Sequence, residues 1–171
     1  KLLAKQNENA WKSVKEGLRY VFNHKILLGA ISLDLFAVLF GGVVAFIPEV
    51  AATILKTGPI AFGWLNASMD IGSAISILLL TFFPMKSGQG KKLLLAVAGF
   101  GICIIIFGVS DLYWVSFVAL LIAGAFDGLS VIVRGTVLQL TTPDEMRGRV
   151  SSVNSMFINS SNELGQFESG V

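Results

Sequence analysis

The chain has 171 residues, of which 54% are hydrophobic and only 14% are charged, and its mean hydropathy is +0.74. A water-soluble domain carries about a quarter charged residues, so this composition excludes an ordinary soluble domain and predicts an integral membrane protein. The net charge of +2 at pH 7 says little, because in a membrane protein the placement of charge matters more than its sum. No nucleic-acid partner is predicted.

The first 25 residues are polar and amphipathic. Within AWKSVKEGLRYVFNH, helical periodicity places a set of apolar side chains on one face, namely Trp11, Val14, Leu18, Val21 and Phe22. This pattern is typical of an amphipathic helix on a membrane surface, and it also fits a soluble helix packed on another domain. The prediction is a cytoplasmic linker with an amphipathic helix over 1–25, followed by a transmembrane helical domain over 26–171.

Four long apolar segments follow, each near or above the roughly 18 residues that indicate a transmembrane helix. We predict spans at about 26–47, 60–83, 93–109 and 114–138. Lysine and arginine are frequent before the first span and in the 84–92 and 141–150 loops, whereas the other two connections hold only Lys56. The positive-inside rule therefore places the N-terminus and those two loops in the cytoplasm.

Three aspartates lie deep inside the predicted spans: Asp34, Asp70 and Asp127. A carboxylate there is costly unless it faces water or a partner, so each one indicates a substrate or proton pathway. The alternative is a protonated or hydrogen-bonded packing residue. On the second span, Asn66 and Ser73 share the face of Asp70, which predicts one wet side.

The fourth span carries Asp127, Ser130 and Arg134 on one face. Gly124 and Gly128 form a GxxxG pattern beside them that would let another helix approach closely. Arg134 is expected to reach the cytoplasmic surface or to pair with an acid on a neighbouring helix. The third span has no polar stripe, so we expect it at the lipid-facing periphery.

The turn TTPDEMRGRV precedes a last, more polar segment that starts at Val150. Thr142 and Glu145 have the spacing of a capping box, and Pro143 suits a first helical position. Gly148 is expected to permit close packing. We assign a role in cytoplasmic gating or in topology to residues of this turn and of the basic loop before the third span: Lys91, Lys92, Pro143, Glu145, Arg147, Gly148 and Arg149.

The last segment, VSSVNSMFINSSNELGQFESG, keeps helical spacing of its apolar residues but is too polar to face lipid. It fits either a cavity-lining span that carries Asn159, Asn162 and Glu163 or a cytosolic amphipathic helix. Because the sequence stops within this pattern and starts with Lys1, we interpret it as a fragment of a longer protein.

No motif in the chain indicates catalysis. The stretch SGQGKK lacks the spacing of a phosphate-binding loop, and no nucleophile has a recognisable base beside it. The only histidine and the only cysteine, His24 and Cys103, lie far apart in the predicted topology, which argues against a zinc site. We predict a protein that is not an enzyme and uses neither a metal nor a cofactor.

Three longer segments carry a family resemblance: EGLRYVFNHKILLGAISLDLFAVLFGG, MKSGQGKKLLLAVAGFG and TPDEMRGRVSSVNSMFINSSNELGQFESG. Over almost its whole length the chain resembles the C-terminal half of a major facilitator superfamily transporter, in the bacterial branch that includes the enterobactin exporter and related effluxers. The resemblance implies an all-α integral membrane protein of the bacterial inner membrane, whose helical bundle is part of the C-terminal six-helix half.

The resemblance also implies that the four spans correspond to helices 7 to 10 of a 12-helix transporter and that Val150 begins helix 11. In that fold, helices 7, 8, 10 and 11 face the central cavity and helix 9 lies outside. The polar last segment would then line the cavity.

Together these features predict a proton-coupled secondary active exporter of a small organic molecule, such as a siderophore or a drug, that works by alternating access. The expected partners are the substrate, protons, membrane lipids and the N-terminal half of the same transporter. The predicted substrate or proton pathway comprises Asp34, Asn66, Asp70, Asp127, Arg134, Asn159, Asn162 and Glu163. Two alternatives are a transporter that flips lipids or lysophospholipids and a non-transporting membrane anchor or regulatory domain.

Overall fold

The α-helix is the only regular element in the part of the chain that the computed structural model describes, which is residues 2–40, 46–82 and 88–169. The helices are α1 (Leu2–Asn23), α2 (Lys25–Phe40), α3 (Ile47–Thr53), α4 (Pro59–Phe82), α5 (Gln89–Val109), α6 (Tyr113–Thr141) and α7 (Asp144–Ser169). Within them, the side chains of residues 2–10, 34, 36–40, 162 and 164–169 also lie outside the description. The all-helical fold class is confirmed.

Three of the described helices, α4, α5 and α6, are long and apolar enough to cross a membrane. They match the second, third and fourth predicted spans, although α5 begins four residues before the predicted start at 93. The reason is Gly88, whose left-handed φ of 74° lets the chain turn directly into the helix. Helix α6 stops at Thr141, because Thr142 precedes a proline and takes extended backbone angles.

The first predicted span is only partly described. Helix α2 covers 16 residues of it, residues 41–45 lie outside the description, and Ile47 already belongs to α3. Helix α3 was missed by the sequence analysis, which treated residues 48–59 as a plain connection. A signal was present, since Pro48 lies in the first turn, where a proline is tolerated, and Glu49 follows at the positive end of the helix dipole.

Helices α4 and α6 touch backbone to backbone. A Cβ at Gly72 would collide with the carbonyl of Leu121, and a Cβ at Gly124 would collide with the backbone of Met69. One turn further on, Gly128 lies against Ser73, whose Oγ would be 2.8 Å from an added Cβ. The GxxxG prediction is confirmed, because these glycines permit the close approach.

The pairing order shows the directions of the helices. Met69 of α4 faces Gly124 of α6, and Ser73, four residues later, faces Gly128, also four residues later. The residue numbers rise together along the contact, so these two helices are parallel. Helix α5 packs antiparallel on α6, since Leu93 clusters with Val133 and Phe107 clusters with Leu120. Successive long helices therefore alternate in direction, as membrane-crossing helices do.

A second core lies where α1, α2 and α7 meet the end of α6. Val21, Ile31, Val150 and Val153 are buried there and pack with partly buried neighbours that include Leu138. The three predicted basic segments, α1, the start of α5 and the α6–α7 turn, lie at this same end of the bundle, which we call the basic end. The end with α3 and the start of α6 is called the opposite end.

Candidate functional site

The predicted pathway residues on α4 and α6 are mostly accessible. Asn66 and Asp70 are exposed on α4, and Asp127 is exposed on α6, although both helices are apolar enough to span a membrane. Ser73 is only half-buried, because it faces Gly128 across the helix contact. Of the three polar side chains on this face of α4, Ser73 therefore lies at the α4–α6 contact, and Asn66 and Asp70 are exposed.

The helix contact brings Asp70 and Asp127, the two predicted pathway aspartates whose side chains are described, to one level of the bundle. Met69, the neighbour of Asp70 in sequence, packs on Gly124, and Ser73 packs on Gly128, the neighbour of Asp127. Because α4 and α6 are parallel, Asp70 and Asp127 lie at corresponding heights. Two carboxylates therefore lie at one height on helices that are apolar enough to cross a membrane.

Arg134 differs from the other pathway residues because it is buried, with 6% of its surface exposed. It lies seven residues before the end of α6 at Thr141, which is about 10 Å along the helix axis. Ser130, one turn before it, is 5% exposed. The arginine does not extend freely to the surface, and it takes part in an interaction within the protein, as a buried guanidinium requires.

The last segment is a helix that runs alongside the bundle. Helix α7 begins at Asp144, six residues before the predicted start, and packs on α2 through Val150, Val153 and their neighbours. Its composition keeps it out of the set of candidate spans. Asn159 and Glu163 are exposed on it, whereas the side chains of Asp34 and Asn162 lie outside the described residues.

The basic end contains a polar contact between α1 and α7 that the sequence analysis missed. Arg149 Nη1 lies 2.5 Å from Glu16 Oε2, and both side chains are about two-fifths exposed. Beside this ion pair, Gly17 is buried against the carbonyl of Arg149 and the side chain of Val153. No sequence pattern could have paired Glu16 with Arg149, because 133 positions separate them.

Helix α1 also donates a hydrogen bond to the last residue of α6. Tyr20 donates a hydrogen bond of 3.0 Å from its hydroxyl to the carbonyl of Thr141, a group that has no partner within its own helix end. The ring of Tyr20 stacks on His24 at a centroid distance of 4.0 Å, and His24 Nδ1 lies 2.8 Å from the carbonyl of Tyr20. Helix α1 is thus bound to both sides of the α6–α7 turn.

Three local predictions for this turn are wrong. The capping box does not form, since Thr142 Oγ1 is buried and has no hydrogen-bond partner among the described residues. Pro143 lies just before the helix and accepts bonds from the amides of Met146 and Arg147, so it is the N-cap. Gly148 does not mediate close packing, because no described atom lies within 4 Å of an added Cβ.

The remaining charged residues of the basic end are close to solvent. Arg147 forms a 2.9 Å ion pair with Asp144 one turn earlier, and Glu145 is exposed. Lys91 is exposed and Lys92 is half-buried at the start of α5. Asp144 and Glu145 occupy the first turn of α7, where their charge favours the positive end of the helix dipole.

Comparison with known proteins places the chain in a family. A family model described as a transmembrane secretion effector matches residues 3–171. Enterobactin exporter EntS of Shigella flexneri is 25% identical over 146 residues, which cover 85% of this chain and 34% of that relative. Enterobactin exporter EntS of Escherichia coli O139:H28 is also 25% identical over 146 residues, with 85% and 35% covered. The chain thus spans about a third of the length of these relatives.

No solved structure matches the chain. The relatives carry the names of transporters rather than enzymes, and the described helices include three candidate spans. The match of the family model over nearly all 171 residues agrees with the resemblance in the basic turn and the last helix. The chain therefore belongs to the transmembrane secretion effector family of the major facilitator superfamily.

Proposed function

We propose that the chain forms one wall of the transport pathway of a secondary active exporter that works by alternating access. The observation that carries this proposal is the exposure of Asn66, Asp70 and Asp127 on two helices apolar enough to cross a membrane. Exposed carboxylates at this depth are costly in lipid, so this surface is expected to border a water-filled cavity. The N-terminal half of the same transporter would supply the opposite wall.

The proposed substrate is a small organic molecule, with a siderophore as the first candidate and a drug as the second. The named function of the two EntS relatives supports a siderophore. Asn66 and the two aspartates offer hydrogen bonds and negative charge, and Asn159 and Glu163 on α7 are further exposed polar groups. A cavity with this lining suits a polar or amphiphilic solute rather than a purely apolar one.

Proton coupling is the proposed energy source. A carboxylate that alternates between a wet and a dry environment can take up a proton on one side of the membrane and release it on the other. Asp70 and Asp127 are the candidates whose side chains are described, and their common height would let one conformational change affect both. Asp34 is a third candidate by sequence.

The test is transport by the full-length transporter in inside-out membrane vesicles, with and without a pH gradient. We expect Asp127→Asn to abolish gradient-driven uptake of enterobactin or of a fluorescent drug. Asp111→Asn is the matched control, because Asp111 is an exposed aspartate that lies outside the helices at the opposite end, and its uptake should be unchanged.

Each contrary result rejects a specific part of the proposal. An uptake rate in the unmodified transporter that is the same with and without the pH gradient would exclude proton coupling. Normal uptake in Asp127→Asn would exclude this aspartate from the pathway. Movement of a labelled lysophospholipid, with no uptake of soluble compounds, would favour the lipid-flipping alternative.

We further propose that the basic end faces the cytoplasm and that the Glu16–Arg149 pair helps to hold it closed in one state of the cycle. The positive-inside rule supports the orientation, since the basic residues of three separate segments gather at this end. The ion pair supports the closing role because it joins the predicted linker α1 to the start of α7. Strengthening or loosening that contact would shift the balance between states.

A further inference from the structure

Helix α1 has one face that packs on the protein and another that does not. Gly17 and Val21 are buried, and Val14 and Leu18 are half-buried, on the side next to α7. Helical periodicity predicts that Trp11 and Phe22 share this same apolar face. In the structure these two rings lie away from the contact, since Trp11 is 76% exposed and Phe22 is 59% exposed.

The exposed rings share their side of the helix with basic residues. Trp11, Lys15, Arg19 and Phe22 follow one another at spacings of four, four and three residues, which forms a continuous stripe along one side of a helix. Lys15 and Arg19 are both exposed. We call these four residues the basic-aromatic stripe.

Among the residues of α1 whose side chains the structure describes, no acid lies on this stripe, and the side chain of Glu8, three residues before Trp11, lies outside them. Glu16 lies off the stripe and is bound to Arg149 of α7. The exposed side chain of Lys12 adds a further positive charge beside it. Four residues after Phe22 in the chain, Ile26 is 67% exposed in the first turn of α2. The stripe therefore lies on the helix that directly precedes the predicted first membrane span.

We propose that the basic-aromatic stripe docks on the headgroups of anionic lipids at the membrane surface. Aromatic rings prefer the boundary between headgroups and acyl chains. Lysine and arginine beside them are attracted by the negative surface potential of anionic lipids. With its other side fixed to α7, the helix would link the lipid surface directly to the α6–α7 turn. This inference requires that the chain lie in a membrane, and it does not depend on what is transported.

The test uses Trp11 as a reporter. The chain has three tryptophans, so Trp64→Phe and Trp114→Phe together leave Trp11 alone, and both replaced side chains are exposed and away from the stripe. The full 171-residue chain is reconstituted in vesicles of phosphatidylcholine or of phosphatidylcholine with phosphatidylglycerol. Lipids brominated high on the acyl chain quench a tryptophan that lies at the interface.

The expected result is quenching of Trp11 that is about twofold stronger or more in the phosphatidylglycerol vesicles and that weakens at high salt. Lys15→Gln with Arg19→Gln should remove this preference. Both residues are exposed, so the packed face of α1 is untouched and helical circular dichroism should be unchanged. Lys91→Gln, an exposed lysine of the same end outside α1, is the matched control and should keep the preference.

Three results would overturn the proposal. Equal quenching in the two kinds of vesicle would remove the role of anionic headgroups. Absence of quenching in both would place Trp11 away from the lipid. Loss of quenching when the N-terminal half of the transporter is reconstituted with the chain would make that half, rather than lipid, the occupant of the stripe.

Discussion

The α4–α6 contact requires that Gly72 and Gly124 have no side chain. An added Cβ at Gly124 would come within 2.7 Å of the Met69 Cα atom, closer than real Cβ atoms approach a backbone. The neighbouring atoms belong to the main chain of a long helix and cannot move aside as a flexible side chain could. At this position a methyl group must separate the helices.

Gly124→Ala should lower the free energy of unfolding by about 1 to 3 kcal/mol, because it overpacks a contact with no free volume. Gly101→Ala on α5 is the control, since no described atom lies within 4 Å of its added Cβ. Unfolding in detergent, followed by circular dichroism, should show loss of stability for Gly124→Ala alone. Equal stability of the two variants would mean that α4 and α6 are not in backbone contact.

The Glu16–Arg149 ion pair is expected to stabilise the contact between α1 and α7. A double-mutant cycle with Glu16→Gln and Arg149→Gln should give a coupling of about 0.5 to 1 kcal/mol, the range expected for a partly exposed pair. The Asp144–Arg147 pair is the comparison. Its side chains are 86% and 55% exposed, so its coupling should be close to zero. A coupling for Glu16–Arg149 no larger than that of the exposed pair would argue against its role in holding α1 to α7.

Helix α1 is attached to the end of α6 by the hydrogen bond from the Tyr20 hydroxyl to the carbonyl of Thr141. Tyr20→Phe should remove about 0.5 to 1.5 kcal/mol of stability, the net contribution of one such hydrogen bond. Amide exchange by mass spectrometry should become faster at the α6–α7 turn. Tyr113→Phe provides the comparison, because Tyr113 makes an equal 3.0 Å bond to Ala61 at the opposite end. Faster exchange should then appear there, and the turn should be unaffected.

The helices were easier to predict than the residues that join them. The three described spans were visible because long apolar runs need no knowledge of tertiary structure. The split face of α1 was not visible, since periodicity cannot tell whether an apolar side chain meets lipid or protein. Thr142 and Glu145 had the spacing of a capping box, yet burial of Thr142 by the fold decided against it. Spacing specifies which bonds are possible, whereas packing determines which ones form.

The candidate site was predictable in its residue types and not in its environment. Asp70 and Asp127 are exposed, and the wet face around them stays a prediction. Arg134 shares a face with Asp127 in sequence and is nevertheless buried. Neighbouring helices create that difference, and a single helix pattern contains no information about them. The partner of Arg149 was invisible for the same reason.

For the whole molecule, the alternating helix directions make orientation testable at two positions. In a Cys103→Ser background, Lys56→Cys should react with a membrane-impermeant maleimide added to intact cells. Lys91→Cys should react only after the membrane is opened. Both lysines are exposed, and they lie at opposite ends of the bundle. The reverse pattern would contradict the cytoplasmic placement of the basic end, and labelling of both in intact cells would contradict the membrane topology.

The backbone contact between α4 and α6 has a mechanical consequence. Helices held apart by side chains can slide by changing rotamers, but where glycine meets main chain there is no rotamer to change. We expect α4 and α6 to travel as one rigid pair through any conformational cycle. Helices α2 and α7 meet each other through side chains that include Leu28, Met146 and Phe157, which can change rotamer. Bending is therefore expected in the helices around the pair, while Asp70 and Asp127 keep a fixed separation.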